Sequence, residues 1–265
     1  MREWKLIVNK IPLEGSLNMA VDEYLLHSLE KDSQTYLRFY QWEKPTVSLG
    51  FSQSIEKVAN LKYCRENSID IVRRITGGKL VLHHQEITYS VCSSDNITFP
   101  PTLSESYRFI SEALIQGLKK MGIDAYLASE APASYKKGNL PCFSYPARNE
   151  IEVDGKKIVG SAQKRLGARF IQHGSIPVED NGDLLELVSP LKGGEGKVRM
   201  TSLSRILDRK VSFEWAVEHL GEGFSEYFGI NLMPKTFDTK EMEKILEIQR
   251  NRYGNKDWTF YRKEC

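Results

Sequence analysis

Long apolar runs are missing from this sequence. The densest, such as Ile69-Asp70-Ile71-Val72, are short and interrupted, far from the roughly 20 residues that cross a bilayer. The opening Met1-Arg2-Glu3-Trp4-Lys5 has neither the apolar stretch nor the small-residue cleavage site of a signal peptide, so the expected compartment is the cytoplasm, away from any membrane. Charge of one sign is also missing: 37 basic against 35 acidic residues leave +2, no footprint for a nucleic-acid partner. Cysteine is scarce. Cys64, Cys92, Cys142 and Cys265 form no CxxC and none stands at zinc-ligand spacing from a histidine, so free thiols and no metal are expected. No Walker A loop, Gly-x-Gly-x-x-Gly loop or Ser–His–Asp signature is found. Repeats, low-complexity tracts and Pro- or Gly-rich linkers are absent too.

What is present belongs to an ordinary globular chain: 265 residues, 40% hydrophobic and 27% charged, enough for one large core or two modest ones. Residues 16–30 (SLNMAVDEYLLHSLE) have helical periodicity with Ser16 placed as cap. Short strands are predicted at 36–40 and 46–50, a helix at 58–67 and a buried strand at 69–73. A Gly-Gly turn and further strand at 81–82 and 87–91 follow. Residues 104–121 (SESYRFISEALIQGLKKM) make the clearest amphipathic helix, closed by Gly122. A loop spans 129–138. Glu150-Ile151-Glu152-Val153 alternates like a strand, Asp154-Gly155 turns a hairpin, and 157–160 returns. One or two strands are expected over 169–178, a flexible connection at 192–197 (KGGEGK), helices at 213–228 and 238–251, and then an aromatic tail. Strands and helices interspersed without regular βαβ alternation indicate an α+β fold with a mixed sheet rather than a doubly wound one. One domain over 1–265 is expected, its core about 30–235, with the C-terminal helices of 236–265 packed on it.

Three segments carry candidate chemistry. In Arg73-Arg74-Ile75-Thr76-Gly77-Gly78-Lys79, two glycines permit a turn whose N–H groups approach an anion or carbonyl, and guanidinium groups flank it. A plain Gly-Gly hairpin explains the same residues. In Asp154-Gly155-Lys156-Lys157-Ile158-Val159-Gly160-Ser161-Ala162-Gln163, strand alternation puts Lys157 on the face of Val159. There it would be partly desolvated, with a lowered pKa; a solvated edge lysine is the alternative. In Pro141-Cys142-Phe143-Ser144-Tyr145-Pro146, Cys142 lies in irregular chain near a lysine hairpin. A nearby ammonium would favour its thiolate, whereas Cys92, in a strand-like run, reads as a core thiol. The basic residues cluster at 73–79 and at Lys156, Lys157, Lys164, Arg165 and Arg169, which suits an anionic substrate or acidic partner.

Taken together and in order, these segments resemble the superfamily of lipoate-protein ligases, octanoyltransferases and biotin ligases. The resemblance rests on NMAVDEYLL (18–26), PTVSLGFSQ (45–53), RRITGGKLVLHHQEITYSV (73–91), VDGKKIVGSAQKR (153–165) and QHGSIPV (172–178). It spans almost the whole chain. The Gly/Arg-rich loop of biotin ligases is missing, and Gly-Ser-Ala-Gln with a Cys-Phe fifteen residues before Lys157 looks like the octanoyltransferases of Firmicutes.

The resemblance implies the biotin/lipoate ligase catalytic fold and transfer of an octanoyl group to a lysine of a lipoyl domain. The implied donor is acyl carrier protein, with octanoate on its phosphopantetheine. The implied acceptors are proteins such as glycine cleavage H protein or dehydrogenase E2 subunits. Cys142 is the implied nucleophile, forming a thioester, and Lys157 the residue that lowers its pKa and later helps deprotonate the target amine. Arg73, Arg74, Thr76, Gly77, Gly78, His83, Tyr89, Gly160, Ser161, Ala162, Gln163, His173 and Gly174 are the implied substrate-binding residues. No ATP, cofactor or metal is implied. Three other readings remain open at this point: an ATP-dependent lipoate-protein ligase, an octanoyl amidotransferase between lipoyl-domain proteins, and a binding or regulatory relative without catalysis.

Overall fold

The structure, a computed structural model, describes residues 2–29, 34–128, 150–189 and 199–263. Its centre is an eight-stranded mixed sheet in the order β11-β1-β2-β6-β10-β9-β8-β7. The strands are β1 (Arg2–Val8), β2 (Thr35–Tyr40), β6 (Glu86–Ser93), β7 (Tyr126–Leu127), β8 (Ile151–Val153), β9 (Lys156–Leu166), β10 (Arg169–Pro177) and β11 (Ile230–Pro234). β11, β1 and β2 run parallel; every pairing from β2 to β7 is antiparallel. A second sheet of β3 (Thr46–Leu49), β4 (Asp70–Arg73) and β5 (Val81–His83) has the order β4-β3-β5.

Alternation along the long strands explains the layers. Phe170 of β10 points into a core with Ile110, Leu114 and Leu118 of α4 (Leu103–Lys120) and Leu220 and Phe224 of α7 (Phe213–Phe228). Its neighbour Ile171 points the other way, toward Leu25 and Leu26 of α1 (Gly15–Ser28) and Ile245 of α8 (Thr239–Ile248). Two helical layers thus sandwich the main sheet, the α+β arrangement expected. A third core, around Val47, Leu49 and Leu82, joins the small sheet to α2 (Ile55–Val58), α3 (Leu61–Glu66) and α5 (Gly182–Val188). A short helix, α6 (Leu203–Leu207), precedes α7.

The caps follow local chemistry. Thr102, Ser212 and Asp238 each accept the backbone N–H of the third residue beyond them, at the starts of α4, α7 and α8. Ser16 does not cap α1, contrary to expectation: the helix already begins at Gly15, with Glu14 as N-cap and no side-chain cap bond. The helix expected at 58–67 is shorter, α3 over Leu61–Glu66, with Val58 closing the separate α2, and the 169–178 region is one strand, β10. Asp154 and Gly155, with φ of 51° and 69°, form the expected two-residue turn between Val153 and Lys156. The C-terminal chain beyond α8 winds into two π-helical turns, Gln249–Tyr253 and Asp257–Tyr261. Trp258, buried, donates from Nε1 to the Arg73 carbonyl at 2.9 Å. No helix among the described residues is long and apolar enough to cross a membrane.

Candidate active site

A cleft opens where the two sheets meet. Gly78, Lys79 and His83 form one wall, Gly160, Ser161 and Ala162 of β9 another, and His173, Gly174 and Ser175 of β10 the floor. Met19, Tyr40, Trp42 and Val81 give it an apolar lining. Three sequence segments almost 100 residues apart at their extremes therefore converge as expected.

Glycine is required where this wall is built. Gly78 sits at φ 92°, and a Cβ on Gly50 would lie 2.0 Å from the Gly78 carbonyl oxygen, so the turn presses on a bare backbone. A Cβ on Gly174 would stand 2.6 Å from both Ser161 Oγ and Tyr89 Cε1. Those two side chains meet beneath the floor, Tyr89 Oη to Ser161 Oγ at 2.7 Å, and Gln172 donates to Tyr89 Oη at 3.0 Å. Burial pushes the Tyr89 hydroxyl up to about 12, so it stays protonated. Gln163 lies on the same face as Gln172 and donates to Ser106 Oγ at 3.0 Å.

Two matching relays fix the histidines. Arg74, buried, donates to Ser48 Oγ at 2.8 Å; Ser48 lies 2.7 Å from His83 Nε2, and His83 Nδ1 lies 2.7 Å from Glu86 Oε1. Arg74 Nε also donates to Thr76 Oγ1 at 3.3 Å; Thr76 lies 2.7 Å from His173 Nε2, and His173 Nδ1 lies 3.2 Å from Asp22 Oδ2. A carboxylate only accepts, so both Nδ1 atoms carry the proton, and in His173 the neutral ring's Nε2 accepts from the Thr76 hydroxyl. Burial, aided by the charges of Arg74 and His83, holds His173 below its ordinary pKa against the opposing pull of Asp22. The floor is therefore neutral near pH 7. His83 is stacked on Trp42 with ring centres 4.0 Å apart.

Asp22 is a hub that sequence reading did not single out. It takes Arg38 Nη1 at 2.8 Å, Tyr40 Oη at 2.9 Å and Ser90 Oγ at 2.9 Å besides His173. Burial pushes its carboxyl up, but the bonds and charges of His173 and Arg38 outweigh that and hold it below its ordinary value. Glu86 was equally unmarked; it also receives Thr88 and Ser175 hydroxyls.

Other expected residues lie elsewhere. Arg73 is fully buried away from the cleft lining and donates to the carbonyls of Gly50, Phe51, Gln53 and Thr259 at 2.7–3.1 Å. It and Arg74 are 0% and 4% exposed, so the cluster at 73–79 is mostly interior scaffolding rather than a charged surface. Lys157 is also fully buried, not a solvated edge lysine, but it is not an isolated ammonium: its Nζ lies 2.6 Å from Glu150 Oε1. The pairing of β8 with β9 shifts register here, Ile151 facing Val159 and Glu152 facing Lys157, and this bulge sets the lysine's direction. Cys142 lies outside the described residues. Cys92 is a buried core thiol, its pKa pushed well up by burial, as its strand setting suggested. Among the described residues no group of three or more His, Cys, Asp or Glu is arranged to hold a metal ion.

The fold, the glycine-built cleft and the buried lysine define a class: residues 14–225 match the lipoyl protein ligase A/B catalytic domain, and the chain belongs to that family. Within it, the chain is 34% identical to Octanoyltransferase LipM of Brevibacillus brevis, over 99% of this chain and 100% of that one. It is 35% identical to Octanoyltransferase LipM of Bacillus anthracis, over 96% of each. The crystal structure of lipoate-protein ligase A bound with ATP superposes with a TM-score of 0.83 at 25% identity, covering 97% of this chain and 98% of that one.

Proposed function

We propose that this chain is an octanoyltransferase that moves octanoate from acyl carrier protein to a lysine of a lipoyl domain, by way of a thioester on Cys142. The observation that carries the reading is the end-to-end likeness to octanoyltransferases in a chain whose cleft is walled by glycines and apolar side chains. A neutral, hydrogen-bonded His173 at its floor suits an uncharged acyl chain. A permanently charged floor would penalise it.

Chemically, the Cys142 thiolate attacks the carbonyl of the donor thioester and releases the phosphopantetheine thiol. The acceptor amine then attacks the new thioester, and an amide replaces it. Exchange of one thioester for another is close to balance; amide formation draws the sequence forward. Gly160, Ser161 and Ala162 let the acyl chain lie against the backbone, with Gly77, Gly78, His83, His173 and Gly174 around it. Lys157 handles the proton. The reaction in this reading needs no ATP, metal or bound cofactor, and belongs in the cytoplasm, where both acyl carrier protein and lipoyl-domain acceptors such as glycine cleavage H protein or dehydrogenase E2 subunits are found.

The test is a transfer assay with purified lipoyl domain, octanoyl-acyl carrier protein and no ATP, read by intact mass of the acceptor. Gain of one octanoyl group on the acceptor lysine is expected. Modification only from free acid and ATP would replace the reading with a ligase, and modification only from an already octanoylated lipoyl-domain protein would replace it with an amidotransferase.

A further inference from the structure

The Lys157–Glu150 pair is the most deeply buried lysine–carboxylate contact among the described residues, with side chains 0% and 4% exposed and 2.6 Å between Nζ and Oε1. A lysine buried alone loses its proton readily, its pKa falling by as much as several units. A carboxylate in contact reverses that and keeps the ammonium charged. The backbone is pinned as well: Lys157 N donates to the Arg199 carbonyl at 2.9 Å, and Thr201 N to the Lys157 carbonyl at 3.0 Å. Such a rigid seat fixes the amine's place and its charge. The titratable neighbours among the described residues are Glu152 on β8, Lys156 on β9 and Arg199 on the pinning segment. Glu152 has its carboxyl raised, first by burial and then by the charge of Glu150.

We propose that Glu150 is a positioning residue of the acyl-transfer site, its carboxylate holding Lys157 Nζ in place and in the ammonium form. The proposal rests on the acyl-transfer reading above. In the resting enzyme the thiol proton of Cys142 resides on Lys157 Nζ. When Sγ attacks the donor, the C–S bond to phosphopantetheine breaks and the leaving thiolate takes that proton from Nζ. When the acceptor's neutral amine attacks the enzyme thioester, the C–N bond forms and the C–Sγ bond breaks. The amine's proton then moves to Nζ. Thiolate and ammonium are restored, so the cycle needs no further reactant. Glu150 stays a carboxylate throughout and touches no substrate atom.

Glu150→Gln keeps the shape and removes the charge; Glu150→Asp keeps the charge. Two readouts are needed in the full chain: the Lys157 side-chain titration by NMR of 13C-lysine-labelled protein, assigned with Lys157→Arg, and the pH dependence of Cys142 acylation by octanoyl-acyl carrier protein. In Glu150→Gln the Lys157 titration and the alkaline limb of acylation are expected to move together to lower pH, by about one unit or more. Acylation at pH 8 should fall about tenfold or further, and Glu150→Asp should recover most of it. A Glu150→Gln protein with an unaltered Lys157 titration and an unaltered alkaline limb overturns the positioning role. A wild-type protein that takes no octanoyl group while its Lys157 titration responds to Glu150 overturns the acyl-transfer reading instead, so the two failures are distinguishable.

Discussion

Asp22 and His173, 151 residues apart in the chain, meet at 3.2 Å between carboxylate Oδ2 and ring Nδ1. The contact joins α1 to β10 and sets the tautomer that lets Thr76 donate to Nε2. Through Thr76 and Arg74 it reaches the carbonyls of Gly77 and Lys79, which accept from Arg74 Nη2 at 3.0 and 2.8 Å. One buried carboxylate thus governs both the floor of the cleft and its glycine wall.

Asp22→Asn should destabilise the fold by about 3–5 kcal/mol, because Arg38, fully buried, loses its counter-charge. The denaturant midpoint measures it. A loss below about 1 kcal/mol would mean that Arg38 is compensated by Asn9 and Asn18 alone, which also accept from it.

Stability should fall as pH drops below about 6.5, the ordinary histidine value. His173 has a depressed pKa in the fold, so the unfolded chain binds its proton first and is favoured by acid. Asp22 adds a loss of the same sign from about pH 4 downward, since its folded pKa is also depressed. Unfolding free energy measured from pH 7.5 to 5 should slope downward in the wild type and flatten in His173→Gln. Equal slopes would contradict the assignment.

Gly174→Ala should cost about 1–3 kcal/mol and abolish octanoyl loading more completely than it lowers the melting temperature. Its Cβ would collide with Ser161 Oγ and Tyr89 Cε1 and lie 2.9 Å from the Gly160 carbonyl, on backbone that lines the cleft. Retained loading at the wild-type rate would place the acyl chain elsewhere.

Trp258→Ala should lower stability by about 3–5 kcal/mol and release the C-terminal turns to protease. The indole is 1% exposed and bonded to the Arg73 carbonyl, while Arg73 Nε donates back to the Thr259 carbonyl. A tail that stays resistant to cleavage would show that the contact is incidental.

The elements marked by periodicity or turn chemistry were legible in the sequence: α4, the Asp154-Gly155 hairpin and the Gly-Gly turn; the convergence of 78, 160–162 and 173–174 on one cleft was implied only by the family resemblance. The flanking strands β1 and β11 were not legible: they join the sheet in parallel, without hairpin signals to mark them. Nor were the polar hubs. Asp22, Glu86 and Glu150 act through partners chosen by tertiary approach, and an acidic residue inside a helix or strand looks in sequence like any solvated one. Arg73 illustrates the reverse case. Its place beside Arg74 suggests a pair of anion ligands, but adjacent strand residues point to opposite faces. Only Arg74 lines the cleft, while Arg73 ties down the carbonyls of 50–53 and the tail. Alternation allowed both a desolvated and a solvated Lys157 and could not choose between them, and its partner was not visible, because a bulge re-aims the strand.

The central claim is the thioester on Cys142, and the intact mass of the protein after incubation with octanoyl-acyl carrier protein, without ATP, tests it most directly. The account predicts one octanoyl adduct that hydroxylamine removes and that does not form in Cys142→Ser. An adduct that persists in Cys142→Ser, or acceptor modification that proceeds at full rate in that variant, would contradict it.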